Sequence, residues 1–394
     1  MACRLISDWL VRMALIAALL AGAAARAAAD PDDPLADPRS DAAAEDVAEP
    51  GEDPTAGPPA APPPFWVFGR SPAVFQHADD SIATRVGGWI DASYRDNDLR
   101  RSSLSVDHLN VYLDSRHRAF QLFVEAEYEN ETKYTGYDEE RDVELEQAYA
   151  RYTRSDLLSV RMGRFNTPFG YWIPIHWSIL MDTIEEPLFV GRNWLPEQQL
   201  GAEAAGRWFP GELAGVQTEL DWSLYAGGGS EELHQDRVRG PTFGGDLRLR
   251  LDERWLLGAS AYRQRNRELE DRTEHTTALY GEARLHERLT LRTEYLHQHR
   301  EKRSGSWWKE DVDAVYGNVR WDFLRRAYLN YRYSRGDDDD EDAHDTSEVE
   351  IHTVTLGVQP HASVRIKLEW SGHDFETGDS EDFDFWGLSV GYLF

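Results

Sequence analysis

The chain has 394 residues and sets 71 Asp and Glu against 42 Lys and Arg, a formal net charge of −29. That acidity argues against a nucleic-acid partner, because polyphosphate would be repelled. Beyond the first thirty residues no stretch has the roughly 20 uninterrupted apolar residues of a membrane-spanning helix. Cys3 is the only cysteine, which excludes a disulfide framework and thiolate-bound metal or iron–sulfur sites.

Residues 1–29 read as a secretory leader. Arg4 and Arg12 precede an apolar run over residues 13–25, and Ala27, Ala28 and Ala29 supply small residues before a cut at Asp30. Leu19-Leu20-Ala21-Gly22 resembles the run before a lipoprotein cysteine, but Ala23 stands where that cysteine would be. Export without a lipid anchor is therefore expected. Residues 30–64 hold ten carboxylates against Arg39 and are rich in Pro and Ala. Such a stretch buries too little apolar surface to offset the entropy of ordering, and reads as a disordered linker. Residues 65–80 form a lead-in.

From about Ser81 onward apolar and polar residues alternate, the period of a strand. Leu329, Tyr331 and Tyr333 share one face of their run, while Asn330, Arg332 and Ser334 share the other. Ile366, Leu368 and Trp370 likewise oppose Arg365, Lys367 and Glu369. Sixteen such runs begin near Ile82, Leu104, Arg118, Val143, Leu157, Leu200, Val216, Thr242, Trp255, Thr276, Arg288, Val312, Arg326, Val349, Ser363 and Phe383. Short connections such as 114–117 and 359–362 alternate with long polar ones such as 95–103, 130–142 and 336–348. The pattern predicts an all-β fold, a sixteen-stranded antiparallel transmembrane β-barrel over residues 81–394 with short periplasmic turns and long extracellular loops. A soluble sandwich or up-and-down barrel shares the period, but its packed core would fall where these strands carry charge.

The end of the chain, Trp386-Gly387-Leu388-Ser389-Val390-Gly391-Tyr392-Leu393-Phe394, alternates large apolar with small residues and stops on Phe. It resembles the terminal strand of Gram-negative outer-membrane proteins. That resemblance implies recognition of Tyr392 and Phe394 by the barrel-assembly machinery, and residence among outer-membrane lipids and lipopolysaccharide.

A sixteen-stranded barrel is too wide for its own side chains to fill, so an aqueous lumen is expected. Mid-strand charges belong in that water, and Arg151, Arg161, Arg248, Arg250, Arg284, Arg292, Arg320 and Arg332 are candidates for its wall. The longest connection, 165–199, carries Phe169, Tyr171, Trp172, Trp177, Phe189 and Trp194. A loop this long and aromatic should pack on something. Folded inward it would narrow the pore and set Asp182, Glu185 and Glu186 opposite basic wall residues. Arg164 and Arg192 complete the expected constriction set.

A family resemblance appears at this point. Ala148-Tyr149-Ala150-Arg151-Tyr152, then Met162-Gly163-Arg164-Phe165-Asn166-Thr167-Pro168-Phe169-Gly170, then Gln199-Leu200-Gly201, is similar to the phosphate-selective porin family and its relatives. The resemblance implies a porin for passive diffusion of small hydrophilic solutes or ions, in which Arg151, Arg161, Arg248, Arg250 and Arg292 would form an arginine ladder. It also implies a homotrimer. In general porins the loop after the fifth strand is the one that folds in.

Other chemistries are thinner. The run Asp337-Asp338-Asp339-Asp340-Glu341-Asp342 suits a solvated loop tip, a mouth that concentrates cations, or a bridge through divalent ions to lipopolysaccharide. Counted from Asp337, an EF-hand would need Gly where Asp342 stands. His297 and His299 share a face but read as polar wall or rim rather than metal ligands. His176 and Ser178 are the nearest pair to a hydrolase nucleophile and base, with no orienting third group. A plugged barrel without conductance is the remaining alternative. No enzyme activity, cofactor or metal is expected.

Overall fold

The computed structural model describes residues 75–76, 82–98, 100–132, 139–175, 177–191, 197–213, 215–229, 240–252, 254–266, 272–302, 308–339, 346–375 and 382–394. The expected leader and linker, and the lead-in apart from Phe75–Gln76, lie outside them.

Sixteen barrel strands follow in chain order. They are β1 (Ile82–Asn97), β2 (Arg100–His117), β3 (Phe120–Thr132), β4 (Glu139–Ser155), β5 (Leu158–Asn166), β6 (Gln198–Leu213), β7 (Val216–Gly229) and β8 (Pro241–Leu251). The second half comprises β9 (Trp255–Asn266), β10 (Arg272–His286), β11 (Leu289–Lys302), β12 (Trp308–Leu324), β13 (Ala327–Asp339), β14 (Thr346–His361), β15 (Val364–Phe375) and β16 (Phe383–Leu393). Each pairs antiparallel with its neighbours in sequence, and β16 pairs with β1 from Phe385 opposite Asn97 to Leu393 opposite Trp89. The sheet is closed, so its barrel strands leave no open edge. Phe394 completes the closure, its N–H donating to the Gly88 carbonyl (2.9 Å) and its carbonyl accepting from Gly88 (3.1 Å). Beyond that point Phe75–Gln76 pairs with Ala83 and Thr84 of β1.

The two faces are inverted relative to a soluble barrel. Outward residues such as Leu104 and Met162 are 80% and 67% exposed, whereas inward Asn330 and Arg332 are 0% and 1% exposed. Apolar side chains with no protein to cover them, around a polar interior, are what a bilayer selects.

The sixteen strands start close to the sixteen sequence runs, with one consistent difference at the loop rim. β1 and β2 are separated only by residues 98–99, not by the long connection expected over 95–103. Asp337–Asp339 belong to β13 and pair with Thr346–Glu348 of β14, rather than standing in a loop tip. Beyond the apolar band both faces of a strand meet water, so alternation disappears from the sequence while backbone pairing continues.

Candidate functional site

The segment joining β5 to β6 lies against the inner wall, and its path is dictated from its root. Gly163 and Gly170 take positive φ (135° and 67°), and between them Phe165, Thr167 and Phe169 are fully buried. A Cβ on Gly170 would sit 2.1 Å from a Glu294 carboxylate oxygen, so this corner of the motif requires glycine. The Gly170 N–H donates to Ser260 Oγ (2.9 Å), Arg248 donates to the Gly170 carbonyl (3.1 Å), and the Tyr171 N–H donates to Glu294 (3.1 Å). The Tyr171 hydroxyl donates to Glu282 at 2.7 Å.

The loop then crosses to the far wall. Trp177 stacks on Tyr112 of β2 (5.6 Å between centroids) and lies 6.4 Å from Trp89 of β1. Ser178 donates to Asp91 (2.5 Å) and opens a single 3₁₀ turn, Ser178–Leu180. Asp182, buried, forms ion pairs with both Arg292 and Arg320. Burial alone would raise the Asp182 carboxyl. The guanidiniums of Arg292, Arg320 and Arg365 outweigh it and hold the group below the ordinary carboxylate value.

From Thr183 to Glu186 wall side chains grip mainly loop backbone. Arg332 donates to Thr183 Oγ1 and to the carbonyls of Glu185 and Glu186 (2.9–3.0 Å). Lys367 donates to the carbonyls of Ser178 (2.9 Å) and Thr183 (2.7 Å). Glu369 accepts the N–H groups of Ile184 (2.7 Å) and Glu185 (2.9 Å). One helical turn, Leu188–Gly191, then packs Leu188 on Val349 and Ile351, and Phe189 stacks on Tyr316 at 6.0 Å.

The wall of β4–β8 is organised differently toward the turn rim. Arg161 pairs with Glu203, and its guanidinium lies 4.3 Å from the Phe165 ring centroid. Arg151 and Arg161 stand opposite each other in register, both 5.2 Å from the Tyr149 ring. Arg207 reaches Asp221 (2.7 Å) and Glu219 (3.0 Å), and Arg250 reaches the same two carboxylates at 3.3 and 3.5 Å.

The expected wall arginines thus divide. Arg248 and Arg332 are buried beneath the loop, and Arg292 and Arg320 are tied to Asp182. Arg250 and Arg284 keep 33% and 58% of their side-chain surface exposed, with Arg151 and Arg161 partly exposed beside them. In the expected constriction set, Asp182 meets basic wall residues in direct contact rather than across an opening. The Glu185 carboxylate instead meets Ser371 (2.7 Å) and His373 (3.2 Å). Arg164 departs from expectation. It follows Gly163, is buried, and bonds the Glu146 carbonyl, Gln198 and Glu144 rather than facing an opening. Arg192 and His176 lie outside the described residues.

Tyr392 is half exposed and stacks on Phe394 at 6.3 Å. His297 and His299 face outward onto Asp313 (2.9 Å) and Asp311 (2.6 Å). Among the described residues no group of three or more His, Cys, Asp or Glu is placed to hold a metal. The sequence marks Lys367 and Glu369 only as polar-face residues of β15. It gives no sign of Ser260 or of Tyr328, whose hydroxyl donates to the Asp182 carbonyl at 3.1 Å. Their signal is parity alone, because the partner is loop backbone more than seventy residues away.

No family model and no curated protein matches the sequence. Solved structures do. The anion-selective porin from Comamonas acidovorans is similar with a TM-score of 0.61 at 9% identity, over 79% of this chain and 100% of that one. The outer-membrane channel DcaP of Acinetobacter baumannii gives 0.58 at 12% identity, over 82% and 100%. Salmonella typhi OmpF, in complex with daunomycin, gives 0.56 at 11% identity, over 80% and 98%. At such identities the likeness establishes the fold, the closed sixteen-stranded barrel of Gram-negative outer-membrane porins.

Proposed function

We propose that the chain is a porin of a Gram-negative outer membrane, through which small hydrophilic solutes diffuse passively. The observation that carries this is the inverted barrel with charged side chains kept partly exposed on its inner wall. Water is the only medium that accommodates Arg250 and Arg284 there. The loop between β5 and β6 narrows the lumen from the side of β8–β15, β1 and β2 and leaves the passage beside β4–β8. Toward the turn rim, Arg85, Arg116, Arg151, Arg161, Arg207, Arg250, Arg284 and Arg365 outnumber the inward carboxylates among the described residues and favour anions. The printed name of the Comamonas neighbour, anion-selective, agrees with that preference.

Passive diffusion needs no covalent step, and we read the chain as non-enzymatic. The hydroxyl of Ser178 is directed to the Asp91 carboxylate. On the same reading residues 1–29 are removed on export, residues 30–64 form an acidic periplasmic spacer, Tyr392 and Phe394 address the chain to the assembly machinery, and the barrel forms a trimer, the form printed for the structurally similar OmpT of Vibrio cholerae.

Single-channel current in a planar bilayer under a KCl gradient tests this. Discrete conductance with a reversal potential toward the anion side is expected, and block by added phosphate would extend the preference to oxyanions. The deep burial of Phe165, Phe169 and Met181 also suits a barrel closed by its own loop. Silence from folded, heat-modifiable protein would establish that second reading.

A further inference from the structure

Beneath the loop tip, the wall holds one cluster that the loop's own hydrogen bonds leave unfinished. Arg332 is 1% exposed and forms no ion pair among the described residues. Its two Nη groups donate to Thr183 Oγ1 and to the Glu185 and Glu186 carbonyls, all neutral oxygens, and its Nε has no partner. Short polar side chains surround it. Asn318 of β12 stands directly opposite on one side and Thr353 of β14 on the other. Asn330 and Ser334, two residues away along β13, share its inward face. All four are buried, and neither amide atom of Asn318 or Asn330 nor the hydroxyl of Ser334 or Thr353 has a hydrogen-bond partner.

An unsatisfied buried polar atom costs about 1–3 kcal/mol, and this cross of five residues gathers seven of them. Their chemistry has a bias. Arg332 Nε–H, two amide NH₂ groups and two hydroxyls can all donate, and the guanidinium brings a full positive charge. Two more guanidiniums stand close, Arg292 opposite Asn318 and Arg320 opposite Asn330, and both pair with Asp182. Glu369 accepts from loop N–H groups, and the Glu185 carboxylate meets Ser371 and His373. The cluster is also enclosed. Asp182 and Tyr328 bound it toward the turn rim, Leu188 on Val349 and Ile351 and Phe189 on Tyr316 bound it toward the loop rim, and the loop backbone that Arg332 grips covers it. Only a small ligand suits such a place.

We propose that Arg332, Asn318, Asn330, Ser334 and Thr353 bind one inorganic anion of halide size between the wall and the loop tip. The anion accepts from Arg332 Nε and from the amide and hydroxyl donors around it, balances the guanidinium, and ties residues 183–189 to β12–β14. It is a resident ligand rather than a permeating one, because the site lies behind the loop and away from the passage beside β4–β8. The site rests on the course of the loop and not on conduction. An anion that binds only the folded barrel raises its stability as its concentration passes the dissociation constant.

The test heats full-length protein in detergent with sodium chloride, bromide or gluconate at one ionic strength and follows the midpoint of heat-modifiability. Crystals soaked in bromide supply the position of the ion by anomalous scattering. Chloride and bromide should raise the midpoint saturably, whereas gluconate, too large for an enclosed site, should not. A bromide peak should stand beside Arg332 Nε. Ser334→Ala combined with Thr353→Val keeps Arg332 and should raise the half-saturating halide concentration at least tenfold. Asn318→Leu removes a different donor of the same ring, should do the same, and serves if the double variant fails to fold. Equal midpoints in the three salts, unchanged half-saturation in the variants, bromide confined to Arg250 and Arg284 in the passage, or only an ordered water beside Arg332 each overturns the proposal. A halide-dependent midpoint without bilayer current would sink the porin reading and leave this site standing.

Discussion

Along β8–β15 the inward side chains meet the loop, whereas along β4–β7 they meet one another. Arg248, Arg292, Arg320, Arg332, Lys367 and Glu369 all reach residues 170–186. Arg161 with Glu203 and Arg207 with Asp221 bridge adjacent strands instead. Both arcs carry similar residue types, and Arg161 and Arg207 are no more exposed than Arg292 and Arg320, so neither composition nor the burial of the arginines explains the difference. What each wall offers the loop does. A charge taken out of water needs a partner or several hydrogen bonds, so the loop can lie only where the wall supplies donors for its carbonyls and acceptors for its N–H groups. Pairs between neighbouring wall strands hold no loop segment down, and their field stays in the passage. One arc fixes the geometry of the pore and the other its electrostatics.

Removing the loop should break that division most severely. Replacing residues 168–196 by a short Gly-Ser turn should raise single-channel conductance several-fold, and unchanged conductance would mean that the loop does not limit flow. Asp182→Ala comes next. It leaves the part-buried Arg292 and Arg320 without a carboxylate from the loop, and the cost should fall below the ~3–5 kcal/mol of breaking a fully buried pair. A lower temperature of heat-modifiability and a noisier, larger current are expected. The pH dependence has a definite sign. Because the folded carboxyl of Asp182 lies below its ordinary value, its contribution is complete above about pH 4 and is lost only as pH falls through the lower, folded value. Current that holds steady from neutrality down to about pH 4 agrees with this clamp. A transition in the wild type at pH 5 or above, absent from Asp182→Ala, would contradict it.

The barrel was legible in the sequence because a bilayer forces period two on every strand, and runs such as Leu329 to Ser334 display it without interruption. Strand ends were not, because Asp337–Asp339 pair in water where neither face must be apolar. The loop's inward course could be anticipated from Trp172, Trp177 and Phe189, whose area would be costly in solvent. Which wall residues receive it could not, because Lys367 and Arg332 bind carbonyl groups that every residue type possesses. Arg164 follows a related rule. Gly163 at φ 135° lies just before it, and its burial against the Glu146 carbonyl, Gln198 and Glu144 depends on partners that alternation does not reveal.

A finer test of the loop-bound arc is Glu369→Gln. The carboxylate accepts from two loop N–H groups and from Thr355 (2.7 Å), whereas an amide turns an NH₂ toward one of them. An unsatisfied buried donor costs about 1–3 kcal/mol. Faster amide exchange at Ile184 and Glu185, with the mean current little changed, is the expected signature. Exchange at wild-type rates would show that Arg332 and Lys367 suffice to hold the tip.

The smallest energetic effect should fall on the other arc, where Arg151→Gln removes one of two guanidiniums that face each other across β4 and β5. Like charges directly opposite are unfavourable in a sheet, so the substitution relieves repulsion while losing a contact with the Tyr149 ring. Stability should stay within about 0.5 kcal/mol of wild type, while the reversal potential moves toward the cation side. Glu219→Gln, which removes a carboxylate shared by Arg207 and Arg250, should move it the opposite way. Opposite shifts at nearly constant stability are what a wall acting through its field produces. A loss of about 2 kcal/mol or more from Arg151→Gln, a size typical of core disruption, would mean instead that this arc too is structural, and that the pore's charge preference is set elsewhere.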